Sequence, residues 1–295
     1  MLLTLELSTK VVKKVQISDN NSTIMLLRKC LHNKSVVIGA VVLLFMILIA
    51  IFAPVIAPND PYLTDGSLAL KGPMEGYPFG TDELGRCLFS RMVYGARVTI
   101  PYSFLSLAVA VAIGVPIGLI SGFYKHLDNP LMRLMDILMA FPGMLLAIAI
   151  VATLGQGLSN VTIAVGLGSM PAYARLIRGL VLSLKEMPYI EASISAGGSD
   201  LRILVKHILP NCIPTIVVYS MLEMAWIIMS ISTLSFLGIG ATPPIPEWGA
   251  LISAGKDYIS SSPHISGFPV IFIFITVTGF NLLGDGLRDV LDPRM

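Results

Sequence analysis

Six apolar runs, each near the length that crosses a bilayer, constrain this chain more than any other feature. They are Val36 to about Phe52, Ile100 to Phe123, about Leu134 to Leu154, about Val161 to Leu184, about Ile213 to Leu237 and about Gly267 to Leu283. A helix needs about 20 apolar residues to cross ~30 Å of hydrocarbon. A backbone in lipid must satisfy its own hydrogen bonds, so helices are the economical solution. The alternating stretches of a membrane barrel do not occur in the sequence. The expected fold is therefore an all-α membrane protein of six transmembrane helices.

Composition agrees. Only 13% of the 295 residues are charged and 55% are hydrophobic, where soluble domains carry about 25% charged residues. Mean hydropathy is +0.80. This excludes a disordered chain and argues against a soluble enzyme. A net charge of +2 is no footprint for nucleic acid; the expected surroundings are membrane lipid. The first run reads as a retained signal anchor, because a long polar arm precedes it and Ala53-Pro54 is a poor cleavage site.

Charge placement orients the chain. With the termini inside, Lys10, Lys13, Lys14, Arg28, Lys29 and Lys34 of the arm are cytoplasmic. So are Lys125, Arg133, Arg175, Arg178, Lys185, Arg202, Lys206, Arg288 and Arg294. Outside are Lys71, Arg86, Arg91, Arg97 and Lys256. This bias predicts cytoplasmic N- and C-termini. The expected divisions are a cytoplasmic arm 1–34, a first helix 35–57, an outer segment 58–98, a five-helix core 99–288 and a tail 289–295. An internal loop, 185–210, interrupts the core.

Two connections are long. In the outer one, apolar residues at Leu84, Leu88, Phe89, Met92 and Val93 give a one-faced helical pattern. It suits either an interfacial helix or a helix packed on the bundle. In the inner one, Pro188 sits where a short helix could begin, and small residues follow: Ala192, Ser193, Ser195, Ala196. With the acid Glu191, that is a candidate docking element; a solvated loop is the plainer reading.

Other chemistry finds little support. Cys30, Cys87 and Cys212 are scattered, which fits neither a disulfide framework nor a zinc site. His32, His126, His207 and His264 have no ligand spacing, and the 15 Met read as core filler, so no metal site is expected. No G-x-x-x-x-G-K-[ST] occurs, and Gly168-Ser169 lacks the flanks of a nucleophile elbow. Within the runs, Gly114, Gly118 and Gly122 form a small-residue stripe for close helix packing, with a hinge at Pro116 as the alternative. Glu223 is the ionisable residue well inside a run. Such an acid lines a water path or is a hydrogen-bonded structural group. Arg175 and Arg178 read first as snorkelling to lipid phosphates. Asp285, Arg288, Asp289 and Arg294 would pair locally or meet a partner.

The inner connection carries a resemblance. Glu191-Ala192-Ser193-x-x-x-Gly197, followed by His207-x-Leu209-Pro210, resembles the EAA loop of ABC importer permeases. Ser193 stands for the second alanine, and His207 for a commonly apolar residue. Further stretches are similar to the peptide/nickel branch: Phe79-Gly-Thr-Asp-Glu-Leu-Gly-Arg86, Leu234-Ser-Phe-Leu-Gly-Ile-Gly240, Pro246-Glu-Trp-Gly249 and Asn281 to Asp289 with Asp292-Pro293-Arg294. Together they cover the chain from about residue 35 to the end. It resembles the C-type permease subunit of dipeptide/oligopeptide/nickel importers.

The resemblance implies a type I ABC importer permease fold in a bacterial inner membrane. It implies a non-catalytic subunit, with a homologous B-type permease, two ATPase subunits and an extracytoplasmic binding protein as partners. ATP and Mg would bind the ATPases, leaving no cofactor in this chain. A coupling helix would hold Pro188, Tyr189, Glu191, Ala192, Ser193, Ala196, Gly197 and Asp200. Glu223 and Trp226 are the expected residues of the translocation path. An acid on the path would attract cationic cargo, and Glu223 resembles the nickel side of the family. The expected cargo therefore leans to nickel or a metal chelate over di- or oligopeptides. A secondary transporter would want coupling-ion residues near the midplane, and a passive channel would have no use for the inner loop.

Overall fold

Proline, glycine and charged residues at the edges of the apolar runs set the helix limits. The computed structural model describes Met25 and residues 28–291. Lys10, Lys13 and Lys14 of the arm, and Asp292, Pro293 and Arg294 of the tail, lie outside the described residues.

Helix α1 spans Lys34–Ile51, and the Asn33 side chain caps it by accepting from the Ser35 and Val36 amides at 2.9 and 3.2 Å. An irregular outer segment leads to α2, Leu88–Phe123, a 36-residue helix continuous across Pro101 and Pro116. Then come α3, Lys125–Met139, α4, Gly143–Leu154, and α5, Leu158–Lys185. The connector helix α6 is Pro188–Ser195. Helix α7, Asp200–Phe236, contains a π turn at Leu204–Ile208. A short α8, Trp248–Gly255, precedes α9, His264–Leu291.

Four of these, α1, α2, α7 and α9, are long and apolar enough to cross a membrane. The sequence reading is corrected at two places. The third run is no straight crossing: α3 ends at Met139, α4 begins at Gly143 after Pro142, and the two meet at 93°. The apolar stripe of the outer connection is no separate interfacial helix. Leu88, Met92 and Val93 are the buried first turns of α2, covered by α8 and α9. Helix α5 carries the fourth run over 28 residues, but Arg175, Arg178 and Lys185 dilute its second half.

Helices α2 and α5 form the central pair. A Cβ at Gly114, Gly118 or Gly122 would stand 2.6 Å from Met170 O, Ala174 O or Val181 Cβ. The contact is reciprocal, since a Cβ at Gly166 of α5 would lie 2.6 Å from Ser106 O of α2. Small residues let backbones approach where lipid gives no hydrophobic drive for helix association. At Gly39, α1 meets α9 in the same way, 2.6 Å from Leu283 N and 2.8 Å from Gly279 O.

Candidate coupling and translocation site

The connector is a short helix fixed at both ends. Pro188 occupies its first turn, where the missing N–H costs nothing. Gly197, at φ +78°, ends it. The Gly198 amide donates to Ser193 O at 3.0 Å and the Gly197 amide to Ile194 O at 2.9 Å. This pair of bonds is a Schellman cap, which requires the left-handed residue that glycine adopts without penalty. One side chain, Ile190, is fully buried and joins the main core with Ile203. Pro188, Tyr189, Glu191, Ala192, Ala196, Gly197 and Asp200 are exposed, and Ser193 is half-buried. The large apolar side chains Tyr189, Ile194 and Leu201 stand open, Leu201 at 72% exposure. The segment is a capped helix with one buried anchor and an otherwise largely exposed surface.

A polar mount holds the connector against the bundle. Lys185, the last residue of α5, donates from Nζ to Phe123 O at 2.6 Å. It thereby satisfies a carbonyl that the end of α2 leaves free. Arg178 forks onto Asp128 of α3, Nε to Oδ1 at 2.5 Å and Nη2 to Oδ2 at 2.7 Å. Arg175 reaches Asp136 at 2.7 Å. Arg175 and Arg178 are thus ion-paired, which corrects the expectation of lipid snorkelling. The forked pair is the stronger, because it is more buried and two-pronged; the exposed Arg175 pair adds little. On the far side, Asn211 of α7 bridges from His207 O at 2.6 Å to Tyr189 Oη at 3.4 Å. The carboxylate of Asp200 lies beside the Tyr124 hydroxyl.

A second polar group sits inside the bundle. Glu223 of α7 is half-buried, with the hydroxyls of Ser169 and Tyr219 beside its carboxylate. Ser169 Oγ is buried and closes no hydrogen bond. The Tyr173 and Ser220 hydroxyls pair at 3.0 Å, and the Tyr173 ring meets Tyr219 edge-on at 4.9 Å. Tyr219 also walls a cleft of about 480 Å³ that reaches Pro214, Arg288 and Leu291. Ser169, Trp226 and Ser230 line a smaller cavity of about 30 Å³. Trp226 itself is half exposed on the surface of α7.

A charged knot gathers the segment between α1 and α2. Buried Asp82 takes Arg86 Nε at 2.7 Å and Arg91 Nε at 3.2 Å. Its Oδ1 also accepts the Leu84 and Arg86 amides at 3.0 and 2.9 Å. Arg91 donates to Pro61 O at 3.1 Å. Burial raises the Glu83 carboxyl above its usual range, with the Asp82 charge adding to the shift. Phe79 stacks on Phe268 of α9 at 4.0 Å. Beneath the knot, Glu247 caps α8 by accepting the Ala250 amide at 3.0 Å. It also accepts from Ser232 Oγ at 3.1 Å and Thr99 Oγ1 at 3.3 Å. The Trp248 indole donates to Met92 O at 3.1 Å. It packs over Gly95, where a Cβ would lie 2.7 Å from the indole.

Sequence reasoning missed Glu247 as a buried cap, and Asp128 and Asp136 as arginine partners. The eight-residue spacing of the two acids on α3 was the available signal for the arginines. Nothing local announces the contact between Thr99 and Glu247.

With this geometry in view, comparison with known proteins places the chain. Residues 114–295 match the model of the binding-protein-dependent transport system inner membrane component. The chain belongs to that family. Residues 24–73 match the N-terminal TM domain of oligopeptide transport permease C. A glutathione transport system permease protein, GsiD, of Pectobacterium atrosepticum is 43% identical over 91% of this chain and 90% of its own. The GsiD of Shigella dysenteriae is 45% identical over 87% and 86%. A dipeptide transport system permease protein, DppC, of Alkalihalophilus pseudofirmus is 42% identical over 89% and 87%. Among solved structures, an inward-facing MetNI methionine ABC transporter chain matches with a TM-score of 0.56 at 21% identity. The match covers 68% of this chain and 96% of that one, and establishes the fold alone.

This permease is therefore a non-catalytic, multi-pass inner-membrane subunit of an ABC importer. Membership in the family implies ATPase and substrate-binding protein partners. The lean toward nickel or metal-chelate cargo is corrected. These relatives are glutathione and dipeptide permeases. Glu223, moreover, has hydroxyl neighbours rather than the imidazoles or thiolates that suit a nickel ion. Among the described residues, no three His, Cys, Asp or Glu converge on a possible metal position.

Proposed function

We propose that this permease is one of two membrane subunits of an ATP-driven importer of short peptides, the class to which dipeptides and glutathione belong. A homologous B-type permease completes the path. The chain crosses the membrane six times, with both termini cytoplasmic. It holds no cofactor of its own; ATP and Mg bind two separate ATPase subunits. A binding protein delivers cargo from outside, and Glu223 and Trp226 line the route through the bundle.

The observation that carries this reading is the form of α6. A solvated loop does not need a Schellman cap, a buried anchor and a bidentate ion pair behind it. A helix that must transmit force does. Pro188, Tyr189, Glu191, Ala192, Ser193, Ala196, Gly197 and Asp200 lie on or beside this helix, with Tyr189, Ile194 and Leu201 free for an apolar cleft. Closure of the ATPases displaces α6, and the mount passes the displacement to α2, α3 and α7. Each nucleotide state then favours one arrangement of the bundle.

The test uses complexes reconstituted with both permeases, the ATPases and the binding protein. Cysteine at Ala192 is expected to cross-link to an ATPase subunit, and E191K to abolish ATP-dependent uptake of labelled dipeptide and glutathione. Uptake driven by a proton or sodium gradient without ATP would point instead to a secondary transporter. An Ala192 cysteine that labels from outside and never reaches an ATPase would overturn the proposal.

A further inference from the structure

The apolar seam between α1 and α2 ends on a charge. A cavity of about 580 Å³ lies along it, walled by Ile47, Ile51, Ile100 and Phe104 together with Arg97 and Pro101. A second cavity, of about 300 Å³, shares Ile47, Ile100 and Phe104 and continues past Leu43 and Ala40 to Phe280 of α9. From Ile51 to Ala40 the seam runs about 16 Å at about 1.5 Å per residue. That is close to the depth of one leaflet, half of the ~30 Å of hydrocarbon. Arg97 shares its cavity with Ile51, the last residue of α1, so the cation stands where the apolar run stops. It is exposed, and its guanidinium lies 5.8 Å from the centre of the Tyr94 ring. Among the described residues no carboxylate pairs with it. Pro101, on the same wall, has no N–H to give the Arg97 carbonyl.

From this we infer that the α1–α2 seam binds an anionic phospholipid, with one acyl chain along the two cavities and the phosphate on Arg97. A guanidinium forks onto phosphate oxygens, and an acyl chain covers Leu44, Ile51 and Phe104, which the chain itself leaves exposed. A tyrosine beside the cation suits the headgroup level of a bilayer. The hydroxyls of a glycerol headgroup are donors for the Arg97 carbonyl, where a choline headgroup has none. Free phosphate would satisfy the arginine and leave the apolar walls uncovered. An apolar helix would cover the walls and leave the arginine without an anion. The inference goes beyond the importer reading, and rests on its topology only for the leaflet, which is the outer one.

The site is tested in the assembled complex, in sealed and oriented vesicles. Phe104→Trp places a fluorescent reporter in the seam, read after subtraction of the signal from the parent complex. Quenching by phosphatidylglycerol with brominated chains is compared with quenching by brominated phosphatidylcholine at the same low mole fraction. The anionic lipid is expected to occupy the seam about fivefold more readily. R97Q is expected to bring the two lipids to parity, and R97K to keep part of the preference. Ile47→Trp serves as a second reporter should Phe104→Trp fail to assemble. Equal quenching by both lipids, a preference that survives R97Q, or no quenching by either, as when a protein segment fills the seam, would overturn the site. Brominated lipid exchanged into one leaflet then places it. Preferential quenching from the cytoplasmic leaflet alone would overturn the proposed topology and leave the lipid site standing.

Discussion

Glu247 shows what a buried carboxylate does when every oxygen is engaged. It caps α8 and ties that helix to Thr99 of α2 and Ser232 of α7. Burial raises its carboxyl from the ordinary 4.5. A raised folded-state value means the group favours folding most below its unfolded value. That contribution fades as pH rises through the folded value. Gln at this position accepts from the Ala250 amide and donates to the two hydroxyls, but does not titrate. E247Q is therefore expected to flatten the decline in thermal stability as pH rises above the ordinary carboxylate value. E247A leaves the amide and both hydroxyls without their partner, and should cost about 2–4 kcal/mol. Unfolding of the purified complex, followed across that range, checks both. At this scale the sequence was half legible. Spacing at Gly114, Gly118 and Gly122 marks the α2 face that meets α5, because one residue type repeats on one helix. Thr99 and Glu247 are 148 positions apart, and neither looks unusual until the fold brings them together.

Among the elements, α6 and its mount behave as one piece. G197A puts a methyl group at φ +78°, a strain of about 1 kcal/mol or more, and loosens the cap without altering any outward side chain. Assembly is expected to be retained, while amide exchange across Pro188–Ser195 speeds up and uptake falls. The Asp128–Arg178 fork invites a charge reversal. D128R and R178D should each weaken coupling of ATP hydrolysis to uptake, and the double variant should regain part of it. A coupling energy near 1 kcal/mol is expected for so partly exposed a pair. A stability cycle indistinguishable from additive would show that the fork contributes nothing. Element limits were legible where a breaker stands alone, as at Pro188. They were lost where averaging hid it: Phe141-Pro142-Gly143 lies within an apolar run, and only the backbone reveals the 93° turn. The period of Leu84 to Val93 was readable too, but not that this stripe runs straight into α2.

For the molecule as a whole, the proposed topology makes a simple claim about sidedness. Cysteines at Gly72 and Lys256 should react only with reagent added outside, and cysteines at Glu191 and Lys125 only from the cytosol. Accessibility in sealed, oriented vesicles checks this; Glu191 reacting from outside would invert the chain. The membrane class and the family were legible from hydropathy and five motifs. The cargo was misread because one acid specifies a charge, not a metal. The arrangement of α7 has a mechanical corollary. Its first turn, with Leu201, adjoins the connector, and Glu223 stands about 33 Å further along the same rod at about 1.5 Å per residue. Between them the regular ladder departs at the π turn of Leu204–Ile208 and again at Pro214, which has no N–H to give. Under the proposed coupling, a stroke delivered at one end would reach the acid through these joints in the drive shaft, and stiffening or softening them would set how much of each stroke arrives.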